Sequence, residues 1–160
     1  MNNDITTVMT RTLIKQNLGK EIHRLFGRSA GAVGQWFRSV KVGPWQPASK
    51  VRPTCTVVDN GAKKGGQDDS GTTKGRILAV HLVLDLETEA DKEKTVADWS
   101  DRVALIDSSL QNFKAAGGLR RFDYISDDPY EVILTSGSSQ QIWMMEFEAE
   151  YWIEVPGLDS

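Results

Sequence analysis

Residues 140–155, QQIWMMEFEAEYWIEV, form the longest unbroken period-2 stretch in the chain. Trp143, Met145, Phe147, Ala149, Tyr151 and Ile153 fall on one face; Ile142, Met144, Glu146, Glu148, Glu150, Trp152 and Glu154 fall on the other. Side chains alternate across a strand, so this is a half-buried strand with a core face and a face that turns acidic toward its end. Glutamates at i, i+2 and i+4 stand roughly 7 Å apart and repel one another unless water and salt screen them. Such a row ordinarily marks a solvated surface.

Working outward, residues 120–126 and 130–135 read as short strands separated by a turn at Asp127, Asp128 and Pro129, with Ser136 to Ser139 turning the chain into the long strand. The paired aspartates fit turn initiation better than cation binding. Residues 76–87 are a second long strand, with Leu78, Val80, Leu82, Leu84 and Leu86 on one face. Its other face starts apolar too, which predicts a central strand covered on both sides. Residues 89–114 show a helical stripe of Val96, Trp99, Val103, Ile106, Leu110 and Phe113, opened by a capping-box pattern at Thr88 and Asp91 and closed by Gly117 and Gly118. Residues 4–26 form another amphipathic helix, with Asn3 or Asp4 as cap and Gly19 an interior weak point costing about 1 kcal/mol. Short strands end near Val42 and span residues 54–58. Residues 59–75, including Lys63, Lys64, Asp68 and Asp69, hold no large apolar side chain and are expected to project as a flexible loop. Residues 156–160 read as a loose tail. The sum is a single α+β domain over residues 1–160: a mostly antiparallel sheet of about four to six strands packed against two helices.

At 160 residues one core suffices without metal or disulfide staples, and the lone Cys55 can form no intrachain bridge. No apolar run reaches the ~18 residues of a membrane span, and no signal peptide opens the chain, which predicts a soluble protein without membrane contact. The net charge of −3 hides a split: residues 1–52 carry nine Lys and Arg against two Asp and Glu, net +7, and the remainder ten against twenty, net −10. Such a division favours docking on an oppositely charged region of another molecule, a second copy included, unless folding brings the halves together internally.

Residues 35–52 interleave rings and cations: Trp36, Phe37, Arg38, Lys41, Trp45, Lys50 and Arg52. Stacking platforms beside phosphate-binding cations suit single-stranded nucleic acid, yet Trp and Arg equally anchor protein interfaces, the preferred reading. Gly66 and Gly71 have phosphate-loop spacing, but Thr72 stands where lysine is needed and no helix follows. His81 among apolar residues, His23 on a helix and Cys55 on a strand form no metal or catalytic spacing. Neither an enzyme nor a cofactor is expected.

The order of elements, together with DITTVMTRTLIKQNL, RPTCTVVD running into a Gly/Asp-rich segment, RILAVHLVLDLE, VADWSDRVALIDSSL and the closing EFEAEYWIEV, resembles the tail terminator (tail completion, minor tail protein U type) proteins of long-tailed bacteriophages. The likeness covers roughly residues 4–155 as a pattern; the connection 27–50 is longer than that family's usual one. The resemblance implies a virion protein, assembled in the host cytoplasm, whose subunits form a hexameric ring. That ring caps the tail tube, ends its polymerisation and joins it to the neck or head-tail connector, and DNA passes through without specific binding. It further implies Glu146, Glu148 and Glu150 facing the lumen, where an acidic wall repels phosphate. Trp36, Arg38, Lys41, Trp45, Lys50 and Arg52 then serve subunit or neck contacts, and Lys63, Lys64, Asp68 and Asp69 a projecting loop. The alternatives are another neck or head-tail joining protein, or a nucleic-acid-binding module using residues 36–52.

Overall fold

Backbone hydrogen bonding in the long closing segment organises the sheet. In a computed structural model describing residues 10–47, 51–65, 73–87, 92–115, 118–137 and 139–154, the elements run α1 (Arg11–Phe26), β1 (Ser39–Val42), β2 (Thr54–Lys64), β3 (Thr73–Asp85), α2 (Lys92–Leu110), β4 (Leu119–Ile133) and β5 (Ser139–Glu154). The five strands form one sheet in the order β1-β2-β3-β5-β4, antiparallel throughout except that β1 runs parallel to β2. The α+β single domain read from the sequence is the architecture found.

Both helices cover one face. Leu78, Val80, Leu82 and Leu84 of β3 and Met145, Phe147 and Ala149 of β5 are essentially inaccessible, and they share a continuous core with Ile14, Leu18 and Ile22 of α1 and Val103, Ile106 and Leu110 of α2. The 3.6-residue stripe and the 2-residue alternation meet there, as each element's apolar side requires. Gly19 is a point of close approach: a Cβ there would meet Val42 Cγ2 at 3.1 Å, so the glycine admits β1 against α1.

Several boundaries differ from the sequence reading, each for a local reason. Thr10 is extended and its hydroxyl accepts from the Leu13 N–H at 3.2 Å, so α1 starts at Arg11; Asn3 and Asp4 lie outside the described residues. α2 ends at Leu110, where Phe113 N–H closes a turn on the Leu110 carbonyl at 3.0 Å, and Ala115 follows at φ 46°. Thr88, Asp91 and Gly117 lie outside the described residues. The loop expected over 59–75 is largely strand: residues 59–64 continue β2 and 73–75 open β3. A bulge between Asp59 and Ala62, with Gly61 at φ 97°, absorbs the polar sequence without ending the ladder. Lys63 and Lys64 therefore stand on paired strand, while Asp68, Asp69 and residues 156–160 lie outside the described residues.

The turn expected at Asp127, Asp128 and Pro129 is absent, and β4 runs through it unbroken. β4 is an edge strand, where a proline is tolerated because its missing N–H need not serve a second neighbour. Asp127 turns toward the helix side and accepts from the Trp143 indole N–H at 2.8 Å and from the Tyr124 hydroxyl. That hydrogen bond, with burial and the surrounding carboxylates, pushes the Tyr124 pKa up to about 12.

Candidate interaction surfaces

The face of the sheet away from the helices carries the glutamate row, and register decides its chemistry. Glu146 stands opposite His81, with Oε1 3.6 Å from Nε2; Glu148 is 3.2 Å from Lys63 Nζ; Glu150 stands opposite Arg121 and lies 3.2 Å from its Nε. Arg121 also reaches Asp123 at 3.0 Å. The self-repelling, solvated row is thus replaced by three cross-strand pairs, and Glu150 is buried at 7% exposure. The partners come from different strands, His81 on β3, Lys63 on β2 and Arg121 on β4, so the pairing is set by the sheet rather than by β5. Lys63 reaches Glu148 diagonally across β3 and Arg121 meets Glu150 on the adjacent strand, and these opposite charges offset the repulsion along β5. Trp152 continues the row under the Arg120 guanidinium, 4.5 Å from its ring centroid.

The other end of this face lies beneath the segment that follows β1. Trp45 Nε1 donates to both Asp85 carboxylate oxygens, at 3.1 and 3.2 Å, and the Gln140 amide donates to the same group. Asp85, Gln140 and Thr54 are fully buried there. Burial pushes the Asp85 carboxyl upward, against the Trp45 hydrogen bond and the charges of Arg52 and Lys41, which hold it down. Trp45 is therefore a tether. Trp36 is likewise engaged: it stacks on Phe26 at 4.9 Å, meets Trp99 edge-on at 6.3 Å, and shares the Arg102 guanidinium with Trp99. The basic aromatic segment does not present its two tryptophans as one platform. Arg38 and Lys41 are exposed, Arg52 is half-buried, and Lys50 lies outside the described residues.

A feature that the sequence reading missed lies at the far end of β4. A cavity of about 420 Å³ opens between β4, β5 and the first turns of α2, walled by Leu86, Val96, Pro129, Tyr130 and Ile142 and rimmed by Glu93 and Glu131. Gln141 also lines it, and its side-chain oxygen is buried with no hydrogen-bond partner. Tyr124, Ile125, Tyr130 and Ile133 are exposed along the same strand.

Cys55 is fully buried, and burial followed by the Asp85 charge raises its thiol pKa steeply, which keeps it protonated and unreactive. His81 contacts Asn60 Nδ2 at 3.3 Å and Glu146. Among the described residues, no group of three or more His, Cys, Asp or Glu is placed to hold a metal ion, and no helix is long and apolar enough to cross a membrane. No protein-family model matches the chain, and no curated protein matches its sequence significantly.

Proposed function

We propose that the chain is the subunit of a virion ring, a tail terminator that caps the phage tail tube, ends its growth and joins it to the neck, with DNA passing through the hole. The sequence resemblance supports this reading, and the observation that carries it structurally is the charge layout of one sheet. Its β1 edge is flanked by Arg38 and Lys41, and its β4 edge carries Asp123, Asp127, Asp128 and Glu131. Opposite charge on opposite edges suits a heterologous contact repeated around a ring. Glu146 and Glu148, the half-exposed members of the row, face or rim the hole. The pairing of Glu148 with Lys63 makes that wall less negative than a bare acidic row, so phosphate is neither gripped nor strongly repelled.

The test is absolute mass by light scattering across protein concentration and salt, followed by imaging of any assembly. A mass near about six subunits and particles with a central hole are expected from a closed heterologous ring. A monomer that gains mass only on single-stranded DNA, with strong salt dependence, marks the nucleic-acid module and sinks the ring. Position in the virion, read by labelling, separates a terminator from another neck protein.

A further inference from the structure

Gln140 and Gln141 are neighbours on β5 with opposite fates. Gln140 faces the open side of the sheet, is fully buried and donates to Asp85. Gln141 falls on the helix side by strand alternation, and its side-chain oxygen is buried without a donor. Its backbone is fixed, since the Leu86 N–H donates to its carbonyl at 3.0 Å, so the amide alone is left over. Buried polar atoms in folded proteins nearly all find a partner, and an acceptor without one asks for a group that the chain does not supply.

The cavity of about 420 Å³ at the end of β4 lies beside this amide, within the range of roughly 300 to 1,000 Å³ typical of small-ligand pockets. Leu86, Val96 and Ile142 give it apolar walls, which disfavour a cluster of water as its filling. Two carboxylates, Glu93 and Glu131, line it, and among the described lining residues there is no lysine or arginine. Glu131 is already engaged within the chain, so Glu93, exposed in the first turn of α2, is the charge that an entering group meets.

We propose that this cavity binds a small apolar amine, whose ammonium donates to the Gln141 oxygen and faces Glu93 while its hydrocarbon body packs on Leu86, Val96 and Ile142. Bulk water does not reach that oxygen, and turning the Gln141 side chain toward the cavity breaks no hydrogen bond to it. An ammonium carries three donors and no acceptor, so it serves an amide oxygen and a carboxylate together. An alcohol supplies a donor without the charge. A carboxylate brings only acceptors and a charge of the same sign as Glu93. The site needs no second subunit and does not depend on the ring reading.

2-Phenylethylamine, 2-phenylethanol and 3-phenylpropanoate share a ring and differ in head group, so they are the probes, titrated against the full chain by calorimetry and by amide NMR shifts. The amine is expected to bind saturably, to shift the Val96 and Gln141 signals, and to bind about tenfold or more tighter than the carboxylate, with the alcohol between them. Val96→Trp fills the cavity and is expected to abolish binding. Gln141→Leu is expected to weaken the amine several-fold without lowering the melting temperature, because it removes an unsatisfied acceptor. Glu93→Gln is expected to narrow the preference for amine over alcohol. No saturable binding of the amine, equal or tighter binding of the carboxylate, shifts confined to another part of the molecule, or an amine affinity unchanged in Gln141→Leu overturns the site.

Discussion

The two faces of the sheet are held by different chemistry. Under the helices, Leu82 lies between Val57 and Met145 in a row of apolar side chains with no accessible surface. On the opposite face, order depends on pairs: Asp85 with Trp45 and Gln140, and the three glutamates with His81, Lys63 and Arg121. Burial of apolar surface is non-directional and tolerates approximate partners, whereas each polar pair needs its own geometry. The helix face therefore stores most of the stability, and the open face stores the specificity of register and of the covering segment.

Substitution at Leu82 tests the first half of that statement. Leu82→Ala leaves a cavity under both helices and is expected to cost about 3 kcal/mol in urea unfolding, within the 2 to 5 kcal/mol of buried leucine truncations. A loss under about 1 kcal/mol would place the core elsewhere. Asp85→Ala comes next, at about 2 kcal/mol, since the Trp45 indole and the buried Gln140 amide lose their acceptor together. Asp85→Asn keeps an acceptor oxygen and removes a buried charge, so its loss is smaller. An Asp85→Asn variant as damaged as Asp85→Ala would mean that the charge, not the hydrogen bonding, holds residues 43–47 down.

Acid separates two aspartates of opposite sign. Asp59 accepts both Arg11 nitrogens at 2.6 and 2.9 Å, lies 3.2 Å from Lys15, and takes the Gly61 N–H at 2.8 Å; the Arg11 bond leads in lowering its pKa to about 2. A depressed carboxyl contributes stability above its unfolded value, near 4, which is lost as pH falls toward 2. Asp85 is raised, so its contribution is present in acid and lost as pH rises through its folded value. Asp59→Asn is expected to cost about 1 kcal/mol at neutral pH and to flatten the decline between pH 4 and 2. An acid limb as steep as that of the wild type would show that α1 is tied to β2 by packing alone.

Much of this division was legible in the sequence, because period-2 alternation fixes which side chains share a face. β5 and the leucine face of β3 fall where their alternation places them, and β3 is central, as its doubly apolar first half implies. What alternation cannot supply is the partner across the strand. Lys63 meets Glu148 only because the bulge at Asp59 to Ala62 carries β2 on for six residues beyond Val58, the end expected from composition. β4 was misread for a related reason: Asp-Asp-Pro is a turn signal in isolation, and Trp143 and Tyr124, sixteen and three residues away, supply Asp127 with donors that keep the chain extended. The cavity around Gln141 followed into obscurity, since its walls come from α2, β4 and β5 together.

The smallest expected effects lie among the glutamate pairs, and they grade with exposure. Arg121 holds a carboxylate that is 7% exposed, so Arg121→Ala leaves Glu150 with one fewer partner in a desolvated place and is expected to cost about 1 kcal/mol or more. Lys63 is 66% exposed at its side chain, and Glu148 22%; Lys63→Ala is expected to cost no more than about 0.5 kcal/mol, and less in high salt. The order of the two, measured by chemical denaturation at low and high salt, decides whether the open face behaves as one unit. If Lys63→Ala cost as much as Arg121→Ala and salt left both unchanged, the three pairs would act as a coupled network across β2, β3, β4 and β5, because an isolated surface pair is screened while a network anchored on a buried member is not.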